Sequence, residues 1–95
     1  MNKPLILVVE DDAPVRNLIT TTLKANDYRF QTAANGEAGV LATASQNPDI
    51  ILLDLGLPDM DGMEVIKRVR SWSNVPIIVI SARSCLLYTS PSPRD

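Results

Sequence analysis

Two apolar runs set the strongest limit on what this chain can fold into. Leu5-Ile6-Leu7-Val8-Val9 and Ile50-Ile51-Leu52-Leu53 offer no polar side on which a strand could face water. Strands of that kind need cover on both faces, as a parallel sheet between helices provides. Each run also ends in acids: Glu10-Asp11-Asp12 after the first and Asp54 after the second. As neighbouring parallel strands they would gather several like charges at one edge of the sheet. Such charges raise one another's pKa and oppose folding unless something cationic sits among them. A chain built this way is expected to bind a metal at that edge, or to do chemistry there.

The remaining pattern alternates strand and helix. Residues 13–25 place Val15, Leu18, Ile19, Thr22 and Leu23 on one helical face, with Asp12 as the cap and Pro14 tolerated in the first turn. Residues 29–33 alternate, Phe30 and Thr32 opposite Arg29 and Gln31, which suits a half-wetted edge strand. Asn35-Gly36 opens a helix to about Gln46 with Ala38, Leu41, Ala42 and Ser45 facing inward, and Pro48-Asp49 stops it. The strand at 50–54 leads into a loop by composition, Gly56 to Gly62. In that loop Pro58 fixes φ, and Gly62 is expected to permit an unusual backbone angle. A third helix to about Ser71 buries Met63, Ile66 and Val69. It exposes Glu64 and the basic run Lys67, Arg68 and Arg70, read as a solvated face. Trp72 is read as a partly buried helix-end anchor. Pro76 introduces the last apolar strand, Ile77–Ile80, ending at Ser81-Ala82. Strands alternating with helices of this length give βαβ units and a doubly wound α/β sandwich.

Composition narrows the function. At 95 residues the chain is expected to be one small domain. A net charge of −2 gives no footprint for nucleic acid or an anionic membrane. A single cysteine, Cys85, rules out an internal disulfide and fits a reducing compartment. No apolar stretch approaches the roughly 20 residues needed to span a bilayer, and Lys3-Pro4 before five apolar residues is no signal peptide. The expected location is therefore the cytoplasm.

In an open parallel sheet the ligand site lies outside the carboxyl ends of the strands, where the strand order reverses. Glu10, Asp11, Asp54 and Ser81 all stand at such ends and are expected to converge. Oxygen donors without His or paired Cys select a hard cation. Mg²⁺ uses one or two carboxylates and leaves positions for phosphate oxygens. Asp54 is the best nucleophile candidate, because a carboxylate can attack phosphorus and form an acyl phosphate. A cation would neutralise both the acids and the phosphoryl charge. Two other classes compete. A small Mg²⁺-dependent phosphatase or hydrolase would also use a strand-end aspartate, but usually with a second acid two positions on, where this chain has Gly56. A flavodoxin-like nucleotide binder would need a Gly-rich phosphate loop where three acids stand instead.

The residues resemble the receiver domain of two-component response regulators. The resemblance rests on V-V-E-D-D after the first strand, L-L-D-L-G-L-P-D-M-D-G around the third and V-P-I-I-V-I-S-A-R at the fourth. It runs from about residue 4 to Arg83. The D-L-G-L-P-D-M-D-G wording, with R-S-W-S-N-V-P and S-A-R, is most similar to the potassium-transport branch of the OmpR/PhoB-type regulators. The resemblance implies a flavodoxin-like (CheY-like) fold and a phosphorelay switch rather than a turnover enzyme. It implies Asp54 as phosphoacceptor, Ser81 as switch hydroxyl and a Mg²⁺ site of Asp11, Glu10, Asp54 and the Gly56 carbonyl. Asp12 is left to helix capping. The implied partners are a sensor histidine kinase and, through a winged-helix output domain, DNA, with homodimers in the full-length protein and no membrane.

Departures from the family pattern begin after Arg83. The family's strand-five lysine and aromatic, fourth helix, fifth strand and fifth helix find no counterpart in residues 84–95, and nor does an output domain. A chain ending so would be expected to be unstable or molten, with the strand at 77–80 left as a sheet edge. Ser84 to Asp95 has no helical period and two prolines. Cys85 to Asp95 is similar to the translation of a transposase adapter used in preparing sequencing libraries. Residues 84–95 are accordingly expected to be a non-native or disordered tail.

Overall fold

The computed structural model describes residues 3–80. Seven elements succeed one another: β1 (Leu5–Val9), α1 (Ala13–Ala25), β2 (Arg29–Ala33), α2 (Gly36–Gln46), β3 (Ile50–Asp54), α3 (Gly62–Arg70) and β4 (Ile77–Ile80). All strand pairs are parallel, in the order β2-β1-β3-β4. The chain thus winds outward from β1 to β2, then crosses to the other side for β3 and β4. The reversal falls between β1 and β3, the two strands that carry the acids.

The alternation of side chains separates two faces. Leu7, Val9, Ala33, Ile51 and Leu53 form one continuous core with Val65 and Val69 of α3, and α2 lies against β1 and β2 on the same face. The other face carries Ile6, Val8, Ile50 and Leu52, and among the described residues it is covered by α1 alone. An apolar groove of about 400 Å³ remains there, lined by Leu23, Tyr28, Ile50, Leu52 and Ile78 among others. Among the described residues β4 is an outer strand, as expected, with Ile78 exposed.

The strands and the helix limits agree with the sequence reading, but the helix faces need correction. In α1 no residue is fully buried and Leu18 is 68% exposed. Val15, Ile19 and Leu23 are its partly buried apolar residues, and the main contacts of α1 are with β1 and β2. In α2, Leu41 and Ser45 are exposed, and the buried residues are Gly36, Gly39 and Thr43. The helix comes so close to β1 that a Cβ on Gly39 would meet Val9 Cγ2 at 2.9 Å. In α3, Val65 and Val69 are buried while Met63 is 53% exposed.

The helix ends explain where the elements stop. Asn35 caps α2, its side chain accepting from the Ala38 N–H at 2.8 Å, and Asn47 closes it in the left-handed region with φ 51°. Asp61 caps α3 through the Met63 N–H. Asp12 occupies the cap position of α1 with extended backbone, yet its carboxylate makes no capping bond, so capping does not account for it. The basic run on α3 is partly structural: Arg70 donates to the Ser73 and Val75 carbonyls, and Arg68 pairs with Glu64. Trp72 is half exposed. No helix among the described residues is long and apolar enough to cross a membrane.

Candidate functional site

The acids converge where the topology sends them. Glu10 comes directly after β1, Asp11 is next, and Asp54 is the last residue of the adjacent β3. One carboxylate oxygen from each lies within 4.8 Å of the others. Two of the three are deep, Glu10 at 2% and Asp54 at 6% exposure, and Asp11 is exposed.

Glu10 is the most constrained of the three. Its backbone N–H donates to the Ala33 carbonyl at 3.0 Å, and its carbonyl accepts from Arg16 Nη1 at 2.9 Å. Oε2 accepts from the Asp12 N–H at 3.2 Å, whereas Oε1 is buried without any partner. Burial drives the carboxyl up from 4.5 to about 7 against the pull of the Asp12 N–H. The neighbouring Asp54 and Asp11 carboxyls add to the rise. Glu10 thus leaves an orphan oxygen in a cluster of three carboxyl groups. Either a proton shared with Asp54 or a cation would relieve it, and an all-oxygen cluster of this kind could hold a hard metal ion.

Asp54 sits at the start of a loop that bends back on it. The Gly56 N–H donates to Asp54 Oδ1 at 3.3 Å, and the Gly62 N–H donates to the Leu55 carbonyl at 3.2 Å. Gly62 does not take an unusual backbone angle, since no glycine has positive φ. It is needed for close approach: a Cβ there would stand 2.8 Å from Leu55 Cα and 3.1 Å from the Asp54 carbonyl oxygen. Glu10, Asp11, Asp54 and Gly56 therefore lie at one sheet edge, while Ser81 lies outside the described residues, as does the tail from residue 84.

Two contacts escape the sequence reading. Arg16 holds the β1 end through the Glu10 carbonyl, and its place in the first turn of α1, six residues on, is the available signal. Asp59, in the loop after β3, accepts from the Gly36 N–H at 2.7 Å and the Glu37 N–H at 2.9 Å. Those two N–H groups hold its carboxyl below the usual 3.8. Its partners are 22 and 23 residues away, so no local pattern announces it.

The chain resembles known proteins along most of its length. The family model of the response regulator receiver domain matches residues 6–89. The KDP operon transcriptional regulatory protein KdpE of Escherichia coli is 47% identical over 79 residues, covering 83% of this chain and 35% of that protein. KdpE of Staphylococcus aureus is 44% identical over 78 residues, covering 82% of this chain and 34% of that protein. The chain thus spans about a third of the length of these relatives. Among solved structures, the response regulator TrrA of Thermotoga maritima, crystallised with Mg²⁺–BeF, superposes with a TM-score of 0.78 at 34% identity. It covers 83% of this chain and 70% of that one. A CheY-like receiver domain from Methanospirillum hungatei gives 0.79 at 25% identity, covering 84% and 65%. The four-stranded parallel sheet, the acids at its switch point and a family match over most of the sequence agree: this chain belongs to the response regulator receiver domain family.

Proposed function

We propose that the chain is a phosphorelay switch that accepts a phosphoryl group on Asp54 with the help of Mg²⁺. The observation that carries this reading is the buried, unpartnered Glu10 Oε1 beside Asp54 and Asp11. It is a cluster of carboxylates that a cation would balance, and Asp54 is read as the acceptor within it. Asp11, Asp54 and the Gly56 carbonyl would hold the ion directly and Glu10 through water. The bound ion would supply charge neutralisation for the acids and for the phosphoryl oxygens.

The residues divide the work. An Asp54 oxygen attacks phosphorus, the bond to the donor's leaving nitrogen or oxygen breaks, and that atom takes the departing electron pair. Glu10 and Asp11 would hold the cation beside the acceptor, where its charge would offset the repulsion among the carboxylates. Ser81 is proposed as the hydroxyl that moves to the phosphoryl oxygens. The added charge of roughly −2 then biases the loops around the site. In the cell the proposed donor is a phosphohistidine of a sensor kinase in the cytoplasm. The proposed output is transcription control through a DNA-binding domain and homodimer contacts elsewhere in a longer protein. That TrrA was crystallised with Mg²⁺–BeF supports the choice of ion. Residues 4–83 are read as the receiver portion. Residues 84–95 are read as adapter translation, which a codon sequence unlike the adapter would overturn.

The test is labelling by a small-molecule phosphodonor. The wild-type chain should take up a base-labile phosphoryl group only with Mg²⁺ present, and Asp54→Ala should take up none. Equal labelling of Asp54→Ala, or labelling indifferent to chelation, would refute the assignment.

A further inference from the structure

The N–H groups of Gly36, Glu37 and Ala38 in the first turn of α2 have no helical carbonyl to donate to, and two of the three find their acceptor outside the helix. Asn35 takes the Ala38 N–H on its side chain at 2.8 Å and the Gly39 N–H on its carbonyl at 3.0 Å. The two N–H groups before these, on Gly36 and Glu37, go to the two oxygens of Asp59 at 2.7 and 2.9 Å. A local cap satisfies one of the N–H groups that a helix start leaves open. Here a carboxylate from the loop after β3 is used in full.

What that contact ties together matters more than the bonds. The start of α2 is seated on β1 by Gly39 against Val9, the residue before Glu10. Three residues earlier, at Gly36, it grips Asp59, in the loop that follows Asp54 and contains Gly56. The negative carboxylate also meets the positive end of the helix, which favours the grip. Pro58 stiffens the backbone between Gly56 and Asp59. The helix start therefore bridges the two halves of the acidic site, one borne on β1 and the other on the β3–α3 loop.

We infer that Asp59 is a positioning residue for the cation site: by clamping the β3–α3 loop to the start of α2, it holds the Gly56 carbonyl at the depth where the ion is bound. This inference rests on the reading of the acids as a Mg²⁺ site. A clamp of this kind acts on the occupancy of the site rather than on phosphoryl transfer once the site is filled. Supporting groups behind metal ligands are typically worth roughly 10- to 100-fold in metal affinity. Asp49 supplies the comparison. Its Oδ2 accepts from the Leu5 N–H at 2.7 Å, a similar bond at the opposite edge of the sheet.

Mg²⁺ titration by calorimetry, together with phosphodonor labelling across Mg²⁺ concentration, tests the inference on the full chain. Asp59→Ala should weaken Mg²⁺ binding roughly tenfold or more, while labelling at saturating Mg²⁺ returns to the wild-type rate. Asp59→Asn keeps one acceptor, and should fall between wild type and Asp59→Ala even if the alanine variant fails to fold. Asp49→Asn should leave Mg²⁺ affinity unchanged. Asp59 variants that bind Mg²⁺ like wild type would overturn the clamp alone, as would an equal loss in Asp49→Asn. A folded wild type that binds no Mg²⁺ would overturn the cation reading itself, and the clamp with it.

Discussion

Raising the pH from about 5 to about 8 without Mg²⁺ should cost the wild-type chain up to about 3 kcal/mol of folding stability, and Glu10→Gln should remove most of that loss. Glu10 ionises at 4.5 in an open chain and at about 7 in the fold. The folded state therefore keeps its proton where the unfolded state has already released it. The stabilisation is complete below 4.5, declines as pH climbs towards 7 and is gone above that. Asp59 acts with the opposite sign. Its carboxyl is held below 3.8, so its contribution is present above that value and disappears as the solution becomes more acid. The two limbs are separate, and only the upper one belongs to the acidic cluster. Urea unfolding followed by circular dichroism at a series of pH values reads both. Parallel profiles for wild type and Glu10→Gln would show that burial of this carboxyl does not govern the upper limb.

Mg²⁺ should reverse the loss at pH 8. A ligand that binds only the folded state at 100 times its Kd stabilises it by about 3 kcal/mol, comparable with the loss that ionised Glu10 causes. The gain should shrink in Glu10→Gln and in Asp54→Ala, because each removes one of the charges the ion balances. An equal gain in all three would locate the ion elsewhere.

The same cluster shows which parts of the molecule are legible in its sequence. The strands can be read because an uninterrupted apolar run of five leaves few alternatives, and the acids at their ends inherit their positions from the topology. Asn35 can be read as a cap because its partner is three residues away. Helix faces are harder. A scale that ranks Leu above Gly points Leu41 at the sheet, yet α2 approaches β1 so closely that Gly39 belongs there and Leu41 turns to water. In α3 the face is set by Gly62, pinned against Leu55, so Val65 goes inward and Met63 outward. Asp59 reads as a loop former because nothing nearby in the chain needs its carboxylate. Local pattern carries contacts made within a turn or across one strand pair. Contacts between a loop and a distant helix start depend on how closely the packed elements approach.

Gly62→Ala should destabilise the chain by about 1–3 kcal/mol and slow phosphoryl labelling of Asp54. Helix propensity alone predicts the reverse, since alanine in a helix is favoured over glycine by about 1 kcal/mol. Positive φ offers no reason for glycine either, because Gly62 has none. The obstacle is space. An added Cβ meets Leu55 Cδ2, Leu55 Cα and the Asp54 carbonyl oxygen at 2.7, 2.8 and 3.1 Å. The Leu55 side chain can swing aside, but the backbone of residues 54 and 55 cannot move without carrying the acceptor and Gly56 with it. Gly36 provides the contrast: a Cβ there runs into the Met60 side chain, whose flexible thioether can move, and meets Val65 Cγ2 at 3.1 Å, with no backbone atom among these contacts. Gly36→Ala should therefore cost less, and because it keeps the N–H that donates to Asp59, labelling at saturating Mg²⁺ should stay close to wild type. Thermal unfolding and phosphodonor labelling of both variants decide the matter. If Gly62→Ala is as stable as wild type and labels as fast, the close approach is slack and the loop is held by Asp59 and Asp61 alone. If it loses both stability and labelling while Gly36→Ala keeps both, the phosphoacceptor is positioned by the missing side chain of a glycine eight residues further along the chain.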